Sequence, residues 1–313
     1  MKLGAVLWSQ ATDWAGFLAA AQRADELGYD SIWTWDHLYA IFGEPDQPIL
    51  EGYTALAGLA QGTERAEIGL LVGANTFRNP GVVAKSMVTI DDMSGGRAIL
   101  GLGGAWFELE HTAFGIDFGT GFGQRLDWMD EATAAIRALL DGETVDSGVG
   151  GRYQFDGLRL NPTPRRDRMP IMIGGSGEKK TLRTVAKYAD QWNAFGSPTT
   201  LAAKDAVLRQ HCEEVGRDPE QIERTVGAKI VIRATEAAAR QVLEDLMEHN
   251  RTPMSNIAAD ETFWVGTAGE ITERMLAYRE VGFHTLLAEM PAPYDRETME
   301  TLIGVVAPAV NSA

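Results

Sequence analysis

Asp36 and His37 stand side by side where the apolar run Ser31-Ile32-Trp33-Thr34-Trp35 stops. An imidazole gives or takes a proton near neutral pH, and a neighbouring carboxylate can fix which ring nitrogen carries the hydrogen. An isolated histidine more often satisfies a backbone carbonyl, but a place at a strand end beside an acid favours proton transfer for His37. Further on, Glu108, Glu110 and His111 follow the stretch "GLGG". With Asp36 and His37 they form a set of N and O donors able to ligate a metal. Glu110 and His111 lie well past the strand end, however, and would meet the others only if the chain folded back. No metal is expected.

A second chemistry is written in glycines. "IMIGGSGEKKT" joins a strand to a helix through Gly174, Gly175, Ser176 and Gly177, so that main-chain N–H groups at the helix start can point at a phosphate. Lys179, Lys180 and Arg183 concentrate positive charge there, in a chain whose formal net charge is −16. Gly73 in "LLVGANTFRNP" suits a bulge where a flat ligand lies against backbone, and equally an ordinary strand-to-loop turn. Gly101, Gly103 and Gly104 leave room beside another strand end. Among the eight tryptophans, Trp8, Trp33, Trp35, Trp106 and Trp192 fall in or just after strands. Some fill the core, and others can wall a planar ring or an apolar substrate.

Positioning these residues falls to an alternation of short apolar runs and amphipathic helices. "LGAVLWS", "SIWTWDH", "EIGLLVGAN" and "RAILGLGG" are each followed by a helical stripe, the last being the long "RLDWMDEATAAIRALLDG" with Leu126, Met129, Ile136 and Leu140 on one face. "ETVDSGVGGRYQFDGLRLNP" alternates around Gly150-Gly151 and reads as a β-hairpin inserted after this fourth helix. "MPIMIGG", "QWNAFG", "TVGAKIVIR" and "HTLLAEMP" supply four more strands, with helices around 200–215, 236–249, 268–281 and 295–309. Eight strands alternating with helices, most of them continuously apolar, predict a (β/α)8 TIM barrel forming one domain over 1–313. A doubly wound open sheet is the rival; the first strand lacks its G-x-G-x-x-G turn. In a barrel, the C-terminal strand ends carry the reaction, which is where Asp36 and His37 fall.

The net charge repels nucleic acid and anionic lipid, so neither is an expected partner. The single cysteine, Cys212, excludes an internal disulfide and reads as a structural thiol. No apolar run approaches the ~20 residues of a membrane span, and "MKLGAVLWSQ" enters a strand without signal-peptide features. A cytoplasmic enzyme with a small-molecule substrate is the expectation. His211, His249 and His284 fall away from the active face and read as structural. A metal-dependent barrel isomerase or hydrolase, or a phosphate-ligand-binding protein without catalysis, are the readings from other classes.

Taken together, "WDHL", "LLVGANTFRNP", "SGGRAILGLGGAWFELEH" and "PIMIGGSGEKKTLRTVAKYADQWN" resemble the bacterial luciferase-like family, most closely its F420-dependent oxidoreductase branch, over roughly the first 195 residues. The resemblance implies a homodimeric enzyme whose barrel mouth holds a deazaflavin ring, with His37 beside the reactive carbon as proton donor or acceptor. It implies that Asp36 contacts the ring system and that Leu71, Val72, Gly73 and Ala74 form a bulge behind it, with a non-prolyl cis peptide at Leu71-Val72. Gly103 and Gly104 would line the ring, and Gly174, Gly175, Ser176, Gly177 and Glu178 would receive the ribityl phosphate. The substrate expected is apolar or aromatic, held among Trp8, Trp106, Trp192 and Phe42. The family's glucose-6-phosphate dehydrogenases carry a glutamate after the strand-4 glycine pair and a tryptophan shortly after the histidine. This chain has Gly104 in the first place and Tyr39, Ile41 and Phe42 in the second, which argues against a sugar phosphate. An FMN-dependent monooxygenase fed by a separate flavin reductase is the alternative within the family.

Overall fold

The computed structural model describes residues 1–147 and 150–313. Ten strands form in chain order: β1 (Lys2–Leu7), β2 (Ser31–Thr34), β3 (Glu67–Leu70), β4 (Gly73–Ala74), β5 (Ala98–Gly103), β6 (Ile171–Gly174), β7 (Gln191–Ala194), β8 (Glu223–Ile232), β9 (Phe263–Gly266) and β10 (Thr285–Met290). Every pairing between them is parallel, and the register Leu3↔Leu286 with Thr225↔Thr285 closes the ring through β10. Eight strands make this closed barrel. β4 continues β3 after a break, and β9 adds to the far end of β8, pairing Lys229↔Phe263 through Ile232↔Gly266. The (β/α)8 expectation therefore holds. β9 lies in a stretch, 250–266, in which the sequence carries no readable motif.

The helices are α1 (Trp14–Leu27), α2 (Gly52–Gly62), α3 (Pro80–Met93), α4 (Glu108–Phe114), α5 (Phe122–Leu140), α6 (Thr181–Tyr188), α7 (Pro198–Val215), α8 (Glu236–His249), α9 (Met254–Ile257), α10 (Ala268–Glu280), α11 (Arg296–Thr301) and α12 (Ala307–Ser312), the last two joined by a π-helical turn, Leu302–Val306. Several of their N-termini follow capping chemistry. The Asp13 side chain accepts from the Gly16 amide to open α1, and Thr267 with Glu270 forms a capping box on α10. The insertion after α5 is an antiparallel pair reduced to the bridge Val145↔Leu158 and the Ser147 amide donating to the Phe155 carbonyl. Gly148 and Val149, within the expected hairpin, lie outside the described residues.

Two layers of core follow from strand alternation. Leu3, Ala5 and Leu7 face the helices, while Val6, Trp8, Trp33, Ile99, Met172 and Leu287 fill the barrel interior. Trp33 occupies a bay made by glycine: a Cβ on Gly69 would lie 2.4 Å from the indole Cζ3. Trp33 of β2 and Trp35 just beyond it thus fill a wide barrel, each burying on the order of 200 Å² of apolar surface. Cys212 is fully buried on α7 among the helix-facing core residues, and burial pushes its thiol up.

Candidate active site at the barrel mouth

At the end of β3 the peptide Leu71-Val72 is cis, and pairing resumes at Gly73 opposite Leu102. The break presents the Val72 side chain to glycines of two neighbouring strands. A Cβ on Gly103 would lie 2.6 Å from Val72 Cγ2, and one on Gly174 2.9 Å from the same methyl. No side chain larger than hydrogen fits at either place while Val72 stays put. Because Val72 is β-branched and stiff at χ1, Gly103→Ala is expected to displace it into the adjoining cavity. The expected cost is about 1–3 kcal/mol of stability, with weaker binding of any ligand seated on that floor; thermal unfolding and ligand titration of the variant check both.

His37 enters the same cavity from the end of β2. Its Nδ1 lies 2.9 Å from Oε1 of Glu110, whose Oε2 accepts from the Leu38 amide at 2.8 Å. Glu110 is only 1% exposed, and an ionised carboxylate can only accept. His37 Nδ1 therefore carries the hydrogen, and no protein group among the described residues takes Nε2.

The fold-back that brings Glu110 here is α4. Its approach turns on Ala105, left-handed at φ 57, whose carbonyl accepts from Arg125 Nε at 3.3 Å. Arg125 stacks on Phe118 at 3.7 Å and donates to its carbonyl. His111, fully buried, anchors α4 from its other side: Nδ1–H donates to the Phe107 carbonyl and Nε2 accepts from the Thr76 hydroxyl at 2.7 Å. His111 is therefore occupied structurally, and among the described residues no three His, Cys, Asp or Glu side chains gather into a metal-holding group.

Asp36 is 2% exposed and fully engaged. Arg78 donates to both its oxygens at 2.7 and 2.9 Å, and the Ala74 amide donates to Oδ2 at 2.9 Å. Arg78 also reaches Glu51, the N-cap of α2, and lies over the Tyr53 ring at 4.5 Å. Burial pushes the Asp36 carboxyl up, opposed by the charge and hydrogen bonds of Arg78. Through the Ala74 amide, Asp36 ties the end of β2 to the strand resumed after the cis peptide.

The glycine loop runs from β6 to α6. Gly175 is at φ 121, its amide donating to the Asn193 carbonyl and its carbonyl accepting from Trp192 Nε1. The amides from Ser176 to Thr181 lead into the first turn of α6, where intrahelical partners are lacking. The loop is clamped from α7: Lys204 pairs with Glu178 at 2.7 Å, and His211 Nε2–H donates to the Glu178 carbonyl. Lys180 is tied to Asp127 of α5 at 2.7 Å, which leaves Lys179 and Arg183 exposed as the cations of the loop.

One cavity of about 270 Å³ gathers most of these groups. Asp36, His37, Leu71, Val72, Gly73, Ala74, Gly103, Gly104, Gly174 and Gly175 line it; Ser176, Gly177 and Glu178 continue on the adjoining loop without lining it. The sequence reading passed over Ala105, Phe122, Asn193 and Phe195, and gave Glu110 no part in proton transfer. Asn193 was legible as a polar residue inside an apolar strand. Trp106, Phe122 and Phe195, at 59, 52 and 42% exposure, rim the opening. Trp8 and Trp192 do not contribute. Trp8 is fully buried in the barrel, stacked on Phe42 at 4.2 Å with Nε1 donating to Glu289, and Trp192 points outward onto Phe283. The apolar wall is correspondingly the rim rather than the strand tryptophans.

These residues fit a planar, phosphate-tailed cofactor: a floor where no Cβ is tolerated, aromatic walls, and an amide-rich loop with two exposed cations at one end. Among known proteins, a pyrimidine monooxygenase, RutA, of Caulobacter segnis is 31% identical over 205 residues, 63% of this chain and 56% of the relative. The RutA of Agrobacterium fabrum is 28% identical over 211 residues, 65% of this chain and 57% of the relative. The chain thus spans little more than half the length of these relatives. An F420-dependent secondary alcohol dehydrogenase solved with an F420-acetone adduct superposes with a TM-score of 0.82 at 19% identity, covering 99% of this chain and 98% of the other. The monooxygenase RslO1 of Streptomyces bottropensis superposes with a TM-score of 0.82 at 20% identity over the whole of both chains. The description of the luciferase-like monooxygenase family matches residues 2–285, and the chain belongs to that family.

Proposed function

We propose that the protein is an F420-dependent oxidoreductase that exchanges a hydride with a small, largely apolar organic substrate. The observation carrying this reading is the imidazole of His37, held by Glu110 through Nδ1 so that Nε2 is the nitrogen available to the mouth cavity. A bound deazaflavin supplies hydride transfer at one ring carbon. Everything else falls to the chain. Val72, Gly103 and Gly174 set the depth at which a flat ring can rest. The amides of Ser176 and Gly177, with Lys179 and Arg183, receive the anionic tail. Trp106, Phe122 and Phe195 shield the cavity and favour an apolar substrate. His37 Nε2 gives a proton to the oxygen or nitrogen that accumulates negative charge in a reduction, or removes one in an oxidation. Glu110 holds the ring in register and stabilises the imidazolium that forms. The homodimer implied by the resemblance belongs to the same proposal, and light scattering checks it.

An FMN-dependent monooxygenase is the second reading, favoured by the match to pyrimidine monooxygenases. Titration of the purified protein with oxidised F420 and with FMN, following quenching of each cofactor's fluorescence, separates the two. Saturable F420 binding with weak FMN binding is expected. The reverse order transfers the assignment to the monooxygenase.

A further inference from the structure

A second cleft, of about 610 Å³, lies between α1 and the turns that precede α9 and α11, and shares no lining residue with the mouth cavity. Three guanidinium groups line it: Arg23 on α1, Arg251 after α8, and Arg296 at the start of α11. Arg23 is paired with Glu300 at 2.7 Å and Glu26 at 3.4 Å. Arg251 and Arg296 pair with no carboxylate among the described residues. The acids flanking Arg296 in sequence, Asp295 and Glu297, are both taken by Arg233. Asp13, the carboxylate lining the cleft, is turned onto the Gly16 amide as the cap of α1. Two guanidiniums without protein counter-charge, in a chain of net charge −16, make a local site of opposite sign to the rest of the molecule.

The backbone around this cleft is built rather than incidental. Among the described residues four that are not glycine adopt left-handed φ, and three of them, Ala11 (54°), Arg251 (49°) and Tyr294 (67°), line it; the fourth, Ala105, lines the mouth cavity. Such conformations are costly and collect where a ligand is held. Buried amides fix the loop that carries Arg251. Asn250 Nδ2 donates to the carbonyls of Leu246 and Ala292, Gln47 Nε2 donates to the Asn250 carbonyl, and Gln10 Nε2 donates to Asn250 Oδ1. Tyr294 is fixed by its hydroxyl donating to the Trp8 carbonyl at 2.8 Å. Between these arms the floor is small and apolar, formed by Gly16, Ala19 and Ala20 of α1 with Met299.

We propose that this cleft binds a small organic phosphate monoester, its charged group held by Arg251 and Arg296 and its carbon body resting on the small-residue face of α1. A phosphate monoester carries about −1.5 to −2 at neutral pH, which complements two free guanidiniums, and arginine matches its oxygens in pairs. The proposal is independent of the cofactor assigned to the mouth.

Isothermal titration of the full chain with phenyl phosphate tests it. A saturable site that survives loss of the glycine-loop cations is expected, with tighter binding than inorganic phosphate and an affinity that falls as salt is raised. Arg251→Ala and Arg296→Ala should each weaken binding by about tenfold or more, while Lys179→Ala with Arg183→Ala leaves it unchanged. Both arginines are exposed, so the variants should keep the wild-type thermal midpoint. The proposal is overturned by absence of saturation in the wild type, by equal affinity for inorganic phosphate, or by undiminished binding in the Arg251→Ala/Arg296→Ala double variant. Loss of binding in the Lys179→Ala/Arg183→Ala protein instead would assign the phosphate to the glycine loop, and would equally overturn it.

Discussion

Replacing His37 by glutamine is expected to lower turnover by about 10²–10⁴-fold while the cofactor dissociation constant changes little. Glutamine keeps a polar group of similar reach against Glu110 but cannot carry a proton from one heavy atom to another at neutral pH. The floor, the glycine loop and the aromatic rim are untouched, so binding survives and proton transfer does not. Parallel fluorescence titrations and steady-state assays separate the two effects. Comparable losses of binding and turnover would mean that the imidazole is a wall of the site rather than its acid–base group. Glu110→Gln supplies the companion measurement. With the carboxylate gone the imidazolium that forms in turnover loses its counter-charge, so turnover should fall while the cofactor dissociation constant changes little. A merely structural role for Glu110 would weaken cofactor binding or lower the thermal midpoint in step with turnover.

Arg78→Met carries the second large effect. The methionine fills similar volume but leaves the Asp36 carboxylate, fully enclosed at the end of β2, without its bidentate partner. Breaking a buried pair from one side costs about 3–5 kcal/mol, read as a fall of roughly 5–10 °C in the thermal midpoint of a chain this size. The deficit should depend on pH in a defined direction. Burial already pushes Asp36 up, and removing Arg78 removes the opposing charge, so the folded protein binds this proton more tightly than the unfolded chain. For such a group stability is greater on the acid side and is lost as pH rises through the folded-state value. The variant should therefore recover part of its deficit as pH is lowered from neutral toward the ordinary carboxylate range, as the carboxyl takes up its proton and loses its charge. A deficit that stays constant over that interval would show that Asp36 is not the source of the cost.

The barrel was legible because its strands are short, apolar and evenly interleaved with helices; Asp13, Asn79 and Thr267 cap α1, α3 and α10, with Pro80 in the first turn of α3, where local chemistry says they should. The glycines of the mouth were legible for a similar local reason: Gly73, Gly103, Gly104 and Gly174 sit at or just past strand ends, where a turn, a bulge or a close approach calls for the smallest residue. What stayed hidden depended on direction or distance. Parallel strands are apolar on both faces, so "QWNAFG" marks Asn193 as polar without saying that it faces the mouth while Trp192 points to the helices. Glu110 meets His37 across 73 positions of chain, through a short helix whose buried residues are an acid and a histidine rather than an apolar stripe. The charge of Lys180 looked available to a phosphate and is spent on Asp127, a pairing that requires α5 and α6 to pack side by side.

The position of Glu110 also bears on how such a mouth could be remodelled. One carboxylate receives both the imidazole of His37 and the amide of Leu38, yet it sits on the very segment, Ala105 to Phe114, whose Trp106 forms part of the rim. Swapping that segment between relatives to change what is accepted would therefore reset the acid–base group as well, unless the graft preserves the spacing from Ala105 to Glu110. Under the proposed function, selectivity and proton handling are inherited as one cassette.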